Sequence, residues 1–105
     1  MKTSPERIQE LIEEAIIDAY DEEEQFMGFF NMIEENVKTP FKAKVIGEEV
    51  EVVEITMGET NEFLAVCKRN GKKHTVNLTS LKFCDPLPAG YEWIEAFLEW
   101  KKNDW

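Results

Sequence analysis

The stretch ENVKTPFKAKVIGEEVEVVEI, residues 35–55, changes structural vocabulary at one dipeptide. Before Thr39-Pro40 the apolar residues recur at helical spacing; after it they alternate with polar ones. A residue that precedes proline is pushed toward extended geometry, so Thr39 ends the helical pattern. In EVEVVEI, Glu49, Glu51 and Glu54 interleave with Val50, Val52, Val53 and Ile55. That is the pattern of a strand with one wet face, and the doubled Val52-Val53 marks a bulge. The chain thus reads as helical first and strand-forming second, an α+β arrangement.

Toward the N-terminus, Phe26, Phe29, Phe30, Ile33 and Val37 form a helical stripe, and Asp21 with Glu24 three residues on is a capping-box pair ahead of it. Met27 and Met32 widen that stripe, which predicts that this helix is central and covered on more than one side. Upstream, Ser4-Pro5 reads as an N-cap followed by proline at the first helical position. Ile8, Leu11, Ile12, Ala15, Ile16 and Ala19 then predict a first helix over about residues 5–20. The two helices make an acidic hairpin within residues 1–38.

Toward the C-terminus, strands are predicted at residues 41–47, 49–57, 62–70 and 74–78, with a turn at Asn70-Gly71. Thr79-Ser80-Leu81 reads as a tight turn into a fifth short strand at Lys82-Phe83. The expected product is a small antiparallel sheet or barrel of four to five strands within residues 41–83. After a proline-rich loop, Tyr91, Trp93, Ile94, Phe97, Leu98 and Trp100 predict a last helix over residues 89–103 that closes the core. A chain of 105 residues suits a single domain, 1–105.

Charge narrows the function. Twelve basic residues face twenty-two acids, for a net charge of −10, which argues against nucleic acid and anionic membranes as partners. The acidity is concentrated: residues 1–36 hold eleven acids and two bases. No signal-like segment and no apolar run of membrane-spanning length is present, and Cys67 and Cys84 lack metal or disulfide-scaffold spacing. A soluble, cytoplasmic protein is expected.

The run Asp21-Glu22-Glu23-Glu24, thickened by Asp18, places five carboxylates at the hinge between the helices. Complementing a helix dipole and capping free N–H groups account for one or two of them. A bound cation accounts for the rest, and Asp18, Asp21, Glu22 and Glu24 are its candidate ligands. At the other end of the second helix, Glu34-Glu35-Asn36 adds negative charge where the dipole is already negative, so solvent or a metal must offset it. Carboxylates, carbonyls and an amide oxygen are the ligands of Ca2+. The two acid groups lie roughly 20 Å apart at 1.5 Å per helical residue, so one ion cannot use both. Glu34-Glu35-Asn36 is the expected tighter site, with Glu48, Glu49 or Glu51 as further donors. An EF-hand is excluded, because a loop starting at Asp21 has Phe26 and Met32 where glycine and glutamate are required.

Catalytic alternatives are thin. His74 is the lone histidine, Cys67 sits on an alternating strand as a buried structural thiol, and no phosphate-binding or nucleophile-elbow motif occurs. The reading is not an enzyme. The cationic hairpin from Lys68 to His74 is a patch that could touch nucleic acid or an acidic partner, and it reads more strongly as a solvated, aggregation-resistant turn.

Together Ala19-Tyr20, Glu23-Glu24-Gln25, Gly28, Glu34-Glu35-Asn36 and Pro40-Phe41-Lys42-Ala43-Lys44 resemble the calcium-binding protein family first associated with cyanobacteria. The resemblance is strong over residues 19–53 and extends to the later strands and final helix only in general layout. It implies an acidic, non-EF-hand protein that binds Ca2+ reversibly and, in heterocyst-forming cyanobacteria, restrains differentiation by holding free calcium down. Residues and resemblance point to a cytosolic calcium buffer or sensor. The alternative is an acidic module that binds a basic protein without a specific metal site.

Overall fold

The computed structural model describes residues 3–103, so residues 1, 2, 104 and 105 of the expected 1–105 domain lie outside the described residues. The chain divides into a helical unit, residues up to 37 together with those from 89 onward, and a sheet unit, residues 38–88.

Helix α1 spans Pro5–Ala15, helix α2 Glu22–Asn36 and helix α3 Tyr91–Asn103. Ser4 caps α1, its side chain accepting from the Arg7 amide at 3.2 Å, with Pro5 at the first helical position. The predicted first helix was to run to about residue 20, and it stops five residues sooner. Ile16 is its C-cap, Asp18 adopts a left-handed φ of 63°, and Ile17 is 70% exposed. The apolar stripe did not announce that turn, because Ile16 and Ala19 continue its helical spacing and Asp18, one of the few residue types that leave a helix this way, reads in the sequence as a helical member of the acid cluster.

Helix α2 meets both α1 and α3, as expected of it, but α3 is the more deeply buried of the helices. Trp93, Ile94, Glu95, Ala96, Phe97 and Trp100 are all buried as it packs against both α1 and α2. Met27 of α2 remains 38% exposed instead. Edge-to-face rings join α2 to α3, with Phe97 at 6.0 Å from Phe26 and 5.8 Å from Phe29. The Trp100 indole N–H donates to Gln25 Oε1 at 3.0 Å, which satisfies the polar end of an otherwise buried ring. Glu95 is the buried acid of this unit: one oxygen accepts from the Thr3 hydroxyl at 2.8 Å.

The sheet unit holds β1 Phe41–Val45, β2 Glu48–Met57, β3 Phe63–Arg69, β4 Lys72–Asn77 and β5 Lys82–Phe83, with a 3-10 turn at Leu78–Ser80. The strands are antiparallel in the order β4-β3-β2-β1-β5, an open sheet rather than a closed barrel. Phe41, Ala43, Val50, Val52, Ala65 and Cys67 alternate onto the buried face. The predicted bulge is present: the register shifts between Val52 and Glu54, so Val53 is the extra residue. Asn70-Gly71, with φ of 52° and 78°, closes β3 to β4 as a two-residue turn of the hairpin-favouring type. Ile46-Gly47, with φ of 50° and 77°, does the same between β1 and β2 and ends β1 two residues sooner than the alternation implied. Among the described residues no helix is long and apolar enough to cross a membrane.

Candidate metal centre

A cleft of about 440 Å³ opens where α1 turns into α2. The turn is built from short-range bonds. The Ile16 amide donates to the Ile12 carbonyl and the Ala19 amide to the Ile16 carbonyl, each at 3.0 Å, and the left-handed Asp18 reverses the chain between them. Asp21 then caps α2: its Oδ1 accepts from the Glu24 amide at 2.8 Å, while Glu24 Oε1 reaches back to the Tyr20 amide at 2.7 Å. This is the capping box predicted from Asp21 and Glu24, displaced by one residue on its return arm. Each carboxylate spends one oxygen on the cap and keeps the other.

Gly28 sets how closely the helices approach. A Cβ there would sit 1.9 Å from the backbone oxygen of Ala15, so only glycine lets the end of α1 lie against the second turn of α2. That contact forms the floor of the cleft. Asp18, Asp21, Glu23 and Glu24 line its mouth with Asn31, and no basic side chain is among the lining residues.

Three of the seven predicted ligands, Asp18, Asp21 and Glu24, therefore line one cleft. Glu22 opens α2 as an exposed residue and does not line it. Glu23 and Asn31 do, although neither was among the predicted ligands. Helical spacing held the signal: Glu24, Met27, Gly28 and Asn31 recur at three and four residues and share a face. Glu34, Glu35 and Asn36 lie at the far end of the fifteen-residue α2. Both glutamates are exposed, and the Asn36 amide donates to the Met32 carbonyl at 2.8 Å, which leaves its side-chain oxygen as the remaining acceptor. The suggested further donors are engaged within the sheet unit. Glu48 pairs with Arg69, Glu49 with Lys42 at 3.8 Å, and Glu51 stands in register with Lys42 and Lys68.

The donors of the cleft are all oxygen: four carboxylates and an amide. Hard oxygen donors suit Ca2+, which takes six to eight of them, and do not suit metals that prefer imidazole or thiolate. The chemistry of the cleft thus fits calcium. Among the described residues no three acidic, imidazole or thiol side chains converge closely enough to hold a metal ion as they stand.

A family model described as calcium binding, Calci_bind_CcbP, matches residues 6–101. The crystal structure of Anabaena CcbP shares the fold with a TM-score of 0.79 and 23% identity, over 94% of this chain and 92% of that one. A second structure, described as a calcium binding protein in the calcium-binding form, gives a TM-score of 0.75 and 22% identity, over 95% and 93% of the two chains. No curated protein matches the sequence. The family model spans both units, from the first turn of α1 to the last turn of α3, and on that ground the chain belongs to the calcium-binding CcbP family.

Proposed function

We propose that this chain binds Ca2+ reversibly at the α1–α2 turn and serves as a cytosolic calcium buffer. The observation that carries the reading is the all-oxygen cleft floored by Gly28, with four carboxylates and no lining base. Asp18, Asp21, Glu23 and Glu24 would hold the ion, with Asn31 as a neutral donor. A bound Ca2+ would supply the positive charge that the cluster lacks. Because Asp21 and Glu24 each keep one oxygen outside the capping box, coordination leaves the start of α2 intact. Small rearrangement on binding suits a buffer better than a sensor. Both cysteines are free thiols, in keeping with a reducing compartment.

Calorimetric titration with Ca2+ in about 0.15 M salt tests the reading, because diffuse attraction is screened beyond roughly 8 Å while direct coordination survives. Asp18→Asn with Glu23→Gln should weaken binding at least about tenfold, or ~1.4 kcal/mol, and Glu13→Gln on α1 should leave it unchanged. Glu34→Gln with Glu35→Gln measures the far end of α2 independently. Equal losses from all three would show field attraction without a site. Comparable affinity for Mg2+, which demands near-octahedral geometry, would show the same.

A second reading, an acidic surface for a basic protein, is favoured by one observation. Ile17 and Tyr20 are 70% and 91% exposed beside the acids, an apolar rim of the kind that protein partners cover. It predicts that Tyr20→Ser weakens capture of a basic amphipathic peptide and leaves Ca2+ affinity unchanged.

A further inference from the structure

Strand β4 ends the sheet and pairs only with β3, so its outer edge is open among the described residues. In a two-residue hairpin the closing pair, here Arg69 and Lys72, exchanges both backbone hydrogen bonds, and the next pair exchanges none. By that alternation the N–H and C=O groups of Lys73 and Thr75 point away from β3. Lys72, Lys73, His74 and Thr75 are all exposed. The side chains beside this edge carry one sign. Lys68 stands directly opposite Lys73 and Arg69 opposite Lys72, arrangements that cost stability where like charges meet across strands. Arg69 has Glu48 and Lys68 faces Glu51 across the β2–β3 register, but among the described residues no carboxylate pairs with Lys72 or Lys73.

Edge lysines commonly guard against unwanted strand pairing. Here Lys68 of the interior strand has Glu51 opposite it on β2, so the unmatched charge lies at the edge itself, on Lys72 and Lys73. The same charges that repel neutral and basic strands leave one class admissible, an acidic strand. Among the described residues a second copy of this chain has no such strand free. Its acids between residues 22 and 35 are helical, and its one extended acidic run, in β2, is paired on both sides. We propose that the β4 edge takes an acidic, extended segment of another protein by strand addition, with main-chain bonds at Lys73 and Thr75 and alternate carboxylates over the Lys68–Lys73 row.

The probe is a peptide of about ten residues alternating glutamate and valine, added to the full chain at moderate salt, with amide exchange read by NMR. Binding should slow exchange of the Lys73 and Thr75 amides at least about tenfold, the fold-change of ~1.4 kcal/mol. Lys73→Glu should weaken binding by a similar factor. Thr75→Pro should do so as well, since it keeps the charge and deletes one outward donor; if that variant melts early, Lys73→Glu and the wild-type exchange data decide. A peptide with the same glutamates alternating with proline, which cannot form the ladder, should bind at least about tenfold more weakly. Equal binding of the proline peptide, or unchanged exchange at Lys73 and Thr75, overturns the proposal. Tighter binding of a DNA duplex at the same salt overturns it in favour of nucleic acid, and self-association that Lys73→Glu abolishes does so in favour of a second copy.

Discussion

In the sheet unit Glu48 meets Arg69 and Glu49 meets Lys42 on neighbouring strands; in the helical unit Asp18, Asp21, Glu23 and Glu24 share one cleft without a base. The sheet unit carries seven acids and eight bases, the helical unit fifteen acids and four bases. Composition alone does not produce the contrast. Antiparallel register brings side chains of adjacent strands within reach of their opposite and diagonal neighbours, so opposite charges placed there neutralise each other. A helix N-terminus approached by a tight turn gathers acids on one spot, because the free N–H groups there welcome negative charge. No base lines that spot, which is the ground for the cation site proposed there.

The comparison can be broken hardest at its glycines. Gly28→Ala drives a methyl into the Ala15 carbonyl and should cost about 3 kcal/mol or more, with Ca2+ binding lost alongside. Gly47→Ala in the sheet unit meets no atom within 4 Å and suffers only its left-handed φ of 77°, about 1 kcal/mol. Similar shifts in melting temperature for the two would mean that the helix approach at Gly28 is soft.

Calcium should then act on one unit and spare the other. At a hundredfold excess over Kd it adds about 2.7 kcal/mol to the folded form. Hydrogen exchange should slow first over residues 18–31, while β2 and β3 stay as they were. Protonating the carboxylates in acid should erase the effect, since a protonated acid no longer coordinates. If exchange slowed in the strands and not in the turn, the cleft would lose its role.

The sheet unit carries its own strain, which a conservative change should relieve. Ile46 is β-branched, 96% exposed and held at a φ of 50°. Ile46→Asn supplies the residue this turn prefers and should raise stability by about 1 kcal/mol. Glu48→Gln removes an exposed ion pair and should cost less than about 0.5 kcal/mol. Both changes should leave Ca2+ affinity untouched.

Alkaline pH should separate the units by a smaller margin. Burial holds the Cys67 thiol above its ordinary range in the sheet unit. In the helical unit the Tyr91 phenol is raised by burial first and by the nearby Glu95 carboxylate second. A raised folded-state pKa stabilises below the unfolded value and loses that contribution as pH climbs through the folded one. The sheet unit should therefore begin to weaken from about pH 8.5 and the helical unit from about pH 10. Glu95→Gln should narrow the second loss, read as a smaller fall in exchange protection of α3.

Period and punctuation in the sequence were enough for much of this architecture. Ser4-Pro5 and Asp21 with Glu24 mark the two helix starts through caps that need only neighbouring residues. Alternation from Phe41 onward, the doubled valine and Asn70-Gly71 specify strands, bulge and hairpin, because each is a local backbone choice. The acidic bias and the oxygen chemistry of the hinge were equally legible. Which acids share a cleft was legible only in part: Asp18, Asp21 and Glu24 group at the hinge, but Glu22 is grouped with them in place of Glu23. Glu22 and Glu23 are adjacent and chemically alike, yet only Glu23 lines it, since successive helical residues point about 100° apart. Asn31 joined the cleft through helical spacing to Gly28, and Gly28 mattered through a contact with Ala15, thirteen residues away in the chain. The end of α1 at Ala15 and the deeper burial of α3 likewise depended on which surfaces found partners. The sequence by itself determined where helices and strands begin and what charge they carry, since capping, turn geometry and side-chain period act over a few residues; only the tertiary structure decided which carboxylates meet, because that depends on the closeness of two backbones the sequence places far apart.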